Sequence, residues 1–186
     1  MKHFVLALTV ALTLAPLSTP AQETAKKEAA QPPLSSSQVL LDNWNDIGRK
    51  LIAMAEDFPE SKYDFKPTPV QRSFAEQLLH AASGNYYFIN PYLGQKMPEG
   101  DVKRSDYKTK ADVVAYLKKS FADGAALIKQ KGDAGLGELM MDPFLKRQAR
   151  LSDEAWSIIE HSGEHYGQLV VYYRLAGLVP PESRPK

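Results

Sequence analysis

Residues 161–168 read HSGEHYGQ, with two histidines four positions apart and a glutamate directly before the second. On a helix that spacing places both imidazoles on one face, about one turn apart, where they can grip a metal ion together. The order H-x-x-E-H is also that of the inverted zinc peptidases, in which the glutamate serves as general base. Two histidines alone hold a metal weakly, so the chemistry turns on a third ligand. The chain contains no cysteine, which excludes thiolate metal sites, disulfides and a cysteine nucleophile. Its remaining histidines are His3 and His80.

His3 belongs to a stretch that reads as a secretory signal peptide, residues 1–21. Lys2 and His3 precede the apolar run 4–14, and Thr19 and Ala21 are placed for cleavage after Ala21. The run is shorter than the about 20 residues of a comfortable membrane span. The expectation is export, to the periplasm or out of the cell, with no stable membrane anchor after processing. Residues 22–36 are polar, contain Pro32-Pro33 and read as a flexible leader. The mature chain then holds three histidines: His80, His161 and His165.

His80 shares its helix face with Ser73, Gln77, Gly84 and Tyr87, and Gly84 leaves space one turn beyond it. If the helices carrying His80 and the His161/His165 pair face each other, three neutral nitrogens converge. Such a set leaves a coordination position for water or substrate, as catalytic rather than closed structural sites do. The plainer alternative, three ordinary helix histidines, stays open at this level. A di-iron carboxylate site does not fit, because it needs Glu-x-x-His motifs, and Gln77, Ile158 and Ser162 stand three before the histidines. A peptidase needs a downstream glutamate ligand, and Glu182 lies in a proline-rich tail. Glu164 also points about 100° away from His165 around the helix axis. Gln168, one turn beyond His165, and Tyr172 are candidate pocket residues, as is Tyr87, although tyrosine is equally at home in a core.

Four amphipathic segments must position these residues. Leu40, Trp44, Ile47, Leu51, Met54 and Phe58 step by three and four, and Pro59 ends the first helix. Ser73 and Glu76 form a capping box that opens the second, which runs to about Pro91. Thr109 and Asp112 open the third, continued by Val113, Leu117, Phe121, Ala125 and Ile128 and ended by Gly132. Residues 133–150 read as a long crossing connection. Ser152 is expected to cap the fourth helix, which stops at Gly177 before Pro180-Pro181. No β-alternation or internal repeat is evident.

The fold class is therefore all-α, a four-helix bundle of residues 37–184. The fourth helix is apolar on most sides, with Trp156, Ile159, Gly163, Tyr166, Val170 and Tyr173 on one stripe and the histidines opposite. Such a helix is either central in the bundle or part of a homodimer interface. With 186 residues, 44% hydrophobic content and a net charge of +1, the chain can build a core and shows no basic stripe, so no nucleic-acid partner is expected.

The stretches FKPTPVQRSFAEQLLHAASGNYYF and HSGEHYGQLVVYYRLAGLVPPESRP, with the first-helix pattern, resemble the DinB/YfiT-like family of metal-binding four-helix bundles over residues 37–184. The shared pattern is a mid-helix histidine, then H-x-x-x-H followed by Gly-Gln and a helix ending before Pro-Pro. The resemblance implies an up-down-down-up bundle with a long link between helices two and three, often a homodimer. It implies that His80, His161 and His165 ligate a divalent metal. Several relatives use the metal in thiol-dependent transfer or isomerisation, some are described as hydrolases, and many have no assigned reaction. The leading expectation is an exported metal-dependent hydrolase or transferase acting on a small molecule. The alternatives are a non-catalytic metal- or ligand-binding bundle and, third, an H-x-x-E-H metallopeptidase. Zinc, nickel, iron and manganese all accept imidazole.

Overall fold

A computed structural model of the protein describes residues 32–142 and 144–185. The expected signal peptide and all but the end of the expected leader lie outside the described residues. Four helices dominate: α1 (Ser36–Asp57), α2 (Phe74–Tyr92), α3 (Lys110–Gly135) and α4 (Leu151–Leu175). α1 begins inside the expected leader, because the Ser35 hydroxyl accepts the Gln38 N–H and caps it. It stops at Phe58, which is extended at φ −62° and ψ 134°, as a residue before proline should be. Both expected capping boxes form. Ser73 N–H donates to Glu76 Oε2 at 2.6 Å and Glu76 N–H to Ser73 Oγ at 3.2 Å. Thr109 and Asp112 exchange the same pair at 2.9 and 3.1 Å. α4 ends in a Schellman motif, with Gly177 at φ +77° and the Leu178 N–H on Tyr173 O.

Three local expectations need correction. Gly132 does break α3, at φ +54°, but a further turn reaches Gly135. The connection after it contains a short antiparallel hairpin, β1 (Leu139–Met141) paired with β2 (Gln148–Arg150). Three-residue strands are too short for alternation to show in sequence. β2 feeds straight into α4, so Arg150 is the N-cap rather than Ser152. Asp153 accepts the Arg150 N–H at 3.3 Å, and the Ser152 N–H instead reaches Leu136 O.

Contacts between helix ends define the topology. Lys110 Nζ bonds the carbonyl of Phe58, and Ser37 N–H bonds Asp133, so α1 and α3 are antiparallel. Asn85 bonds Ser120 and Tyr86 bonds Asp123, each about a dozen residues into its helix, so α2 and α3 are parallel. Tyr173 reaches Met54 O, so α4 runs with α1, and Tyr172 reaches Arg72 O, so α4 runs against α2. The bundle is up-down-down-up. Each of α1 and α2 packs against both α3 and α4.

Trp44 anchors the middle of the core, its indole N–H on Phe121 O at 2.8 Å and its ring over Gly124. At the site's end of the bundle, Phe58 stacks on Phe74 at 3.8 Å, with Tyr63 and Tyr173 packed around them. This cluster locks the C-termini of α1 and α4 to the N-terminus of α2. α4 is not central. Its buried line is Leu151, Ala155, Ser162, His165, Leu169 and Tyr172/Tyr173, while Trp156 is 43% exposed and Ile159, Tyr166 and Val170 are half-buried. Among the described residues no helix is long and apolar enough to cross a membrane.

A β-carbon at Gly124 would fall inside the Trp44 ring. Gly124→Ala should therefore lower stability by about 1–3 kcal/mol through overpacking, read as a lower denaturant midpoint at unchanged m-value.

Candidate metal centre

α2 and α4 meet in a regular antiparallel register. Tyr172 pairs with Arg72, Gln168 with Gln77, His165 with Gln77 and His80, and His161 with His80 and Gly84. Each step down one helix is matched by an equal step up the other, so the two histidine-bearing faces oppose each other. The Nε2 atoms converge: His161 to His80 at 3.3 Å and His165 to His161 at 3.0 Å. These three residues form a group that can hold a metal ion. Imidazole ligands at about 2.0–2.1 Å around a tetrahedral ion lie about 3.3–3.4 Å apart, and closer in more crowded geometries. The two nitrogen separations match that spacing.

The surroundings of the other ring nitrogens differ from one histidine to the next. His80 Nδ1 sits 2.8 Å from both carboxylate oxygens of Asp101, so it carries the proton and leaves Nε2 a lone pair. His165 Nδ1 sits 2.7 Å from the Gln77 amide nitrogen, which also donates to Gln168 Oε1. When His165 Nε2 faces a cation, Nδ1 is a donor and Gln77 must present its oxygen. His161 Nδ1 is buried without a partner, and its ring is placed by packing. Its Cε1 lies where a β-carbon at Gly84 would come within 2.9 Å. The space left by Gly84, expected from sequence to sit beside His80, is taken by the His161 ring. Neutral rings alone leave this triangle unsatisfied, because His161 Nε2 has at most one proton for two neighbours. A cation takes all three lone pairs.

Burial favours the ligating form of His161 and His165. Desolvation, then the His161 and His80 charges and that of Arg72, pushes His165 down to about 4. Desolvation and the His80 charge likewise lower His161. Protons therefore compete little with a metal near neutral pH.

The remaining candidates separate. Gln168 is largely exposed and meets Gln77, so it acts on His165 only through that amide. Tyr172 does not line the site's cavity. Its hydroxyl holds Arg72 O at 2.7 Å and its ring packs with Phe65 and Phe74. Tyr87 does line it, with His80, Gly84 and His161. Glu164 is exposed on the polar strip and is not part of the histidine cluster. Glu182 is paired with Arg49 at 2.7 Å. Asp101 was not legible as part of the site. It lies in the loop of residues 93–109, and no local pattern links it to His80.

The fold and the three-histidine cluster define an α-helical bundle with an interhelical, metal-competent site. The model of the DinB superfamily matches residues 44–169, and the chain belongs to that superfamily. Among solved structures it is similar to a DinB-like protein from Bacillus cereus, with 20% identity, 77% of this chain and 95% of that one covered, and a TM-score of 0.61. It is also similar to a conserved protein from Enterococcus faecalis, with 12% identity, 75% and 95% covered, and a TM-score of 0.53. At these identities the likeness is one of fold. No curated protein matches the chain.

Asp101→Ala and Gln77→Leu should each weaken divalent-metal affinity by about 10- to 100-fold while leaving the helical circular dichroism spectrum unchanged. Gly84→Ala should displace the His161 ring and weaken affinity as well. Unaltered affinity in the first two variants would remove their orienting role.

Proposed function

We propose that this is an exported divalent-metal-binding protein, acting as a hydrolase or transferase on a small molecule through His80, His161 and His165. The observation that carries the reading is the meeting of three histidines across two antiparallel helices, with His161 Nε2 3.3 Å from His80 Nε2 and 3.0 Å from His165 Nε2 and all three ligand atoms within 4.8 Å of one another. A divalent ion held there would supply Lewis acidity to a ligand oxygen or sulfur. The chain's own residues do the positioning. Asp101 fixes the tautomer and plane of His80, Gln77 fixes those of His165, and Gly84 admits the His161 ring. Three neutral ligands leave the ion's charge uncompensated, so the site favours an anionic ligand. An exported protein works away from the reduced thiols of the cytosol, which favours hydrolysis over thiol-dependent transfer.

One observation supports a non-catalytic binding role as the second reading. Among the described residues Asp101 is the one carboxylate lining the cavity beside the histidines, and it is engaged by His80 and Arg72. No side chain there stands ready as a general base. The peptidase reading has less support, since Glu164 lies outside the cluster.

Metal analysis of purified protein should give about one divalent ion per chain. His80→Ala, His161→Ala and His165→Ala should each lose it, whereas Glu164→Gln should keep both the metal and any activity found by screening metabolites against apo and loaded protein. A His80→Ala variant with full metal content would sink the interhelical site, and loss of peptide hydrolysis in a metal-replete Glu164→Gln variant would restore the peptidase.

Export and self-association are parts of the same proposal. The mature chain should begin near Gln22 by N-terminal sequencing, and the half-exposed Trp156–Val170 stripe of α4 should support a homodimer in analytical ultracentrifugation. An intact N-terminus on functional protein, or a strict monomer at high concentration, would remove the respective part.

A further inference from the structure

His80 and His161 face a cavity of about 410 Å³, whereas His165 lies behind them against Gln77. The open side of the histidine cluster is therefore the cavity side. Its other walls are mostly apolar, formed by Gly84, Tyr87, Phe144 and Ile158, with Ser157 beside them. Phe144 comes from the turn between β1 and β2, and its ring tilts against Tyr87 at 5.5 Å between centroids. It is 67% exposed, so it roofs the space rather than filling the core. The turn holding it is ordered by the buried Asp142 carboxylate, which accepts the Phe144 and Leu145 N–H groups at 2.7 and 2.8 Å. A largely exposed aromatic ring is thus placed by a built turn over an apolar space beside the histidines.

Resting on the metal-centre reading above, we infer that the ligand is a monoanionic amphiphile, with a carboxylate head beside His80 and His161 and an unbranched or aryl tail of about ten carbons in the cavity. The volume sets the tail. A dry cavity of about 150 Å³ takes one benzene ring, so 410 Å³ has room for a tail of about two rings' size once part of it is given to the head group. The charge pattern sets the head count. Three neutral nitrogens around a dication favour one anionic group. Among the described residues no lysine or arginine lines the cavity, so a second anionic group would find no cation there. Phosphorylated sugars, nucleotides and dicarboxylates are therefore disfavoured, and the Tyr87–Phe144 wall selects for the tail.

The test is calorimetric titration of the zinc-loaded protein with straight-chain monocarboxylates from acetate to decanoate. Affinity should rise about two- to four-fold per methylene and level off near ten carbons. Phe144→Ser and Ile158→Asn should flatten that rise at unchanged zinc stoichiometry, and a dicarboxylate of equal length should bind more weakly than the monocarboxylate. Affinity independent of chain length in zinc-loaded protein would overturn this inference while leaving the metal centre standing. An undiminished rise in both variants would also overturn it, because the tails would then lie elsewhere. Failure to take up zinc would overturn the metal-centre reading, and this inference with it.

Discussion

The site depends on one constraint, the antiparallel register of α2 against α4. His80 meets His161 and His165 only because Arg72 and Tyr172, Gln77 and Gln168, and Gly84 and His161 all pair at matching offsets. A slip of one residue would turn His80 about 100° away from the pair. The register is pinned below the site, where Tyr172 holds the backbone just ahead of the Ser73 cap and Tyr173 packs into the Phe58–Phe74 stack. The polar core of the bundle is therefore located by an apolar and aromatic anchor a few turns away. Stability and site geometry rest on the same contacts.

Topology supplies the next layer. Because α2 and α3 run parallel, the chain must travel back along the bundle between them, and residues 93–109 do so. That return path crosses beside α2 and delivers Asp101 to His80 and Arg72. The second long connection, between α3 and α4, carries the hairpin whose turn places Phe144 beside Tyr87. An up-down-up-down bundle with short loops would have neither element. The histidines come from helices, but what orients one of them and what walls the adjacent space come from the two long connections.

The electrostatics follow from this arrangement. His161 and His165 are withdrawn from water, which disfavours their charged forms, and mutual proximity and Arg72 act in the same direction. Asp101 bonds His80 at the more exposed edge of the site. The cluster thus has a carboxylate-held imidazole on its open side, an amide-held imidazole on its buried side, and between them a ring held by packing against Gly84.

By itself the sequence determined what is periodic and local. The four helices follow from residues three and four apart. Two capping boxes follow from Ser73/Glu76 and Thr109/Asp112, and the helix stops follow from Pro59 and Gly177, because each rests on chemistry within a turn or two of chain. The three histidines were legible as candidates from residue type, spacing and the absence of cysteine. Tertiary structure decided the rest. Asp101 and Gln77 become partners of the histidines only through contacts across 21 and 88 residues of sequence. Tyr172 is drawn to Arg72 rather than to the cavity, and Ser152 yields its capping place because β2 runs directly into α4. Of the apolar stripe of α4, Tyr173 is buried while Trp156 to Val170 stay partly exposed, because α1 and α2 pack on other faces of the helix. In each case the deciding interaction joins elements distant in sequence, and no period or motif within a single segment records which distant group will be opposite.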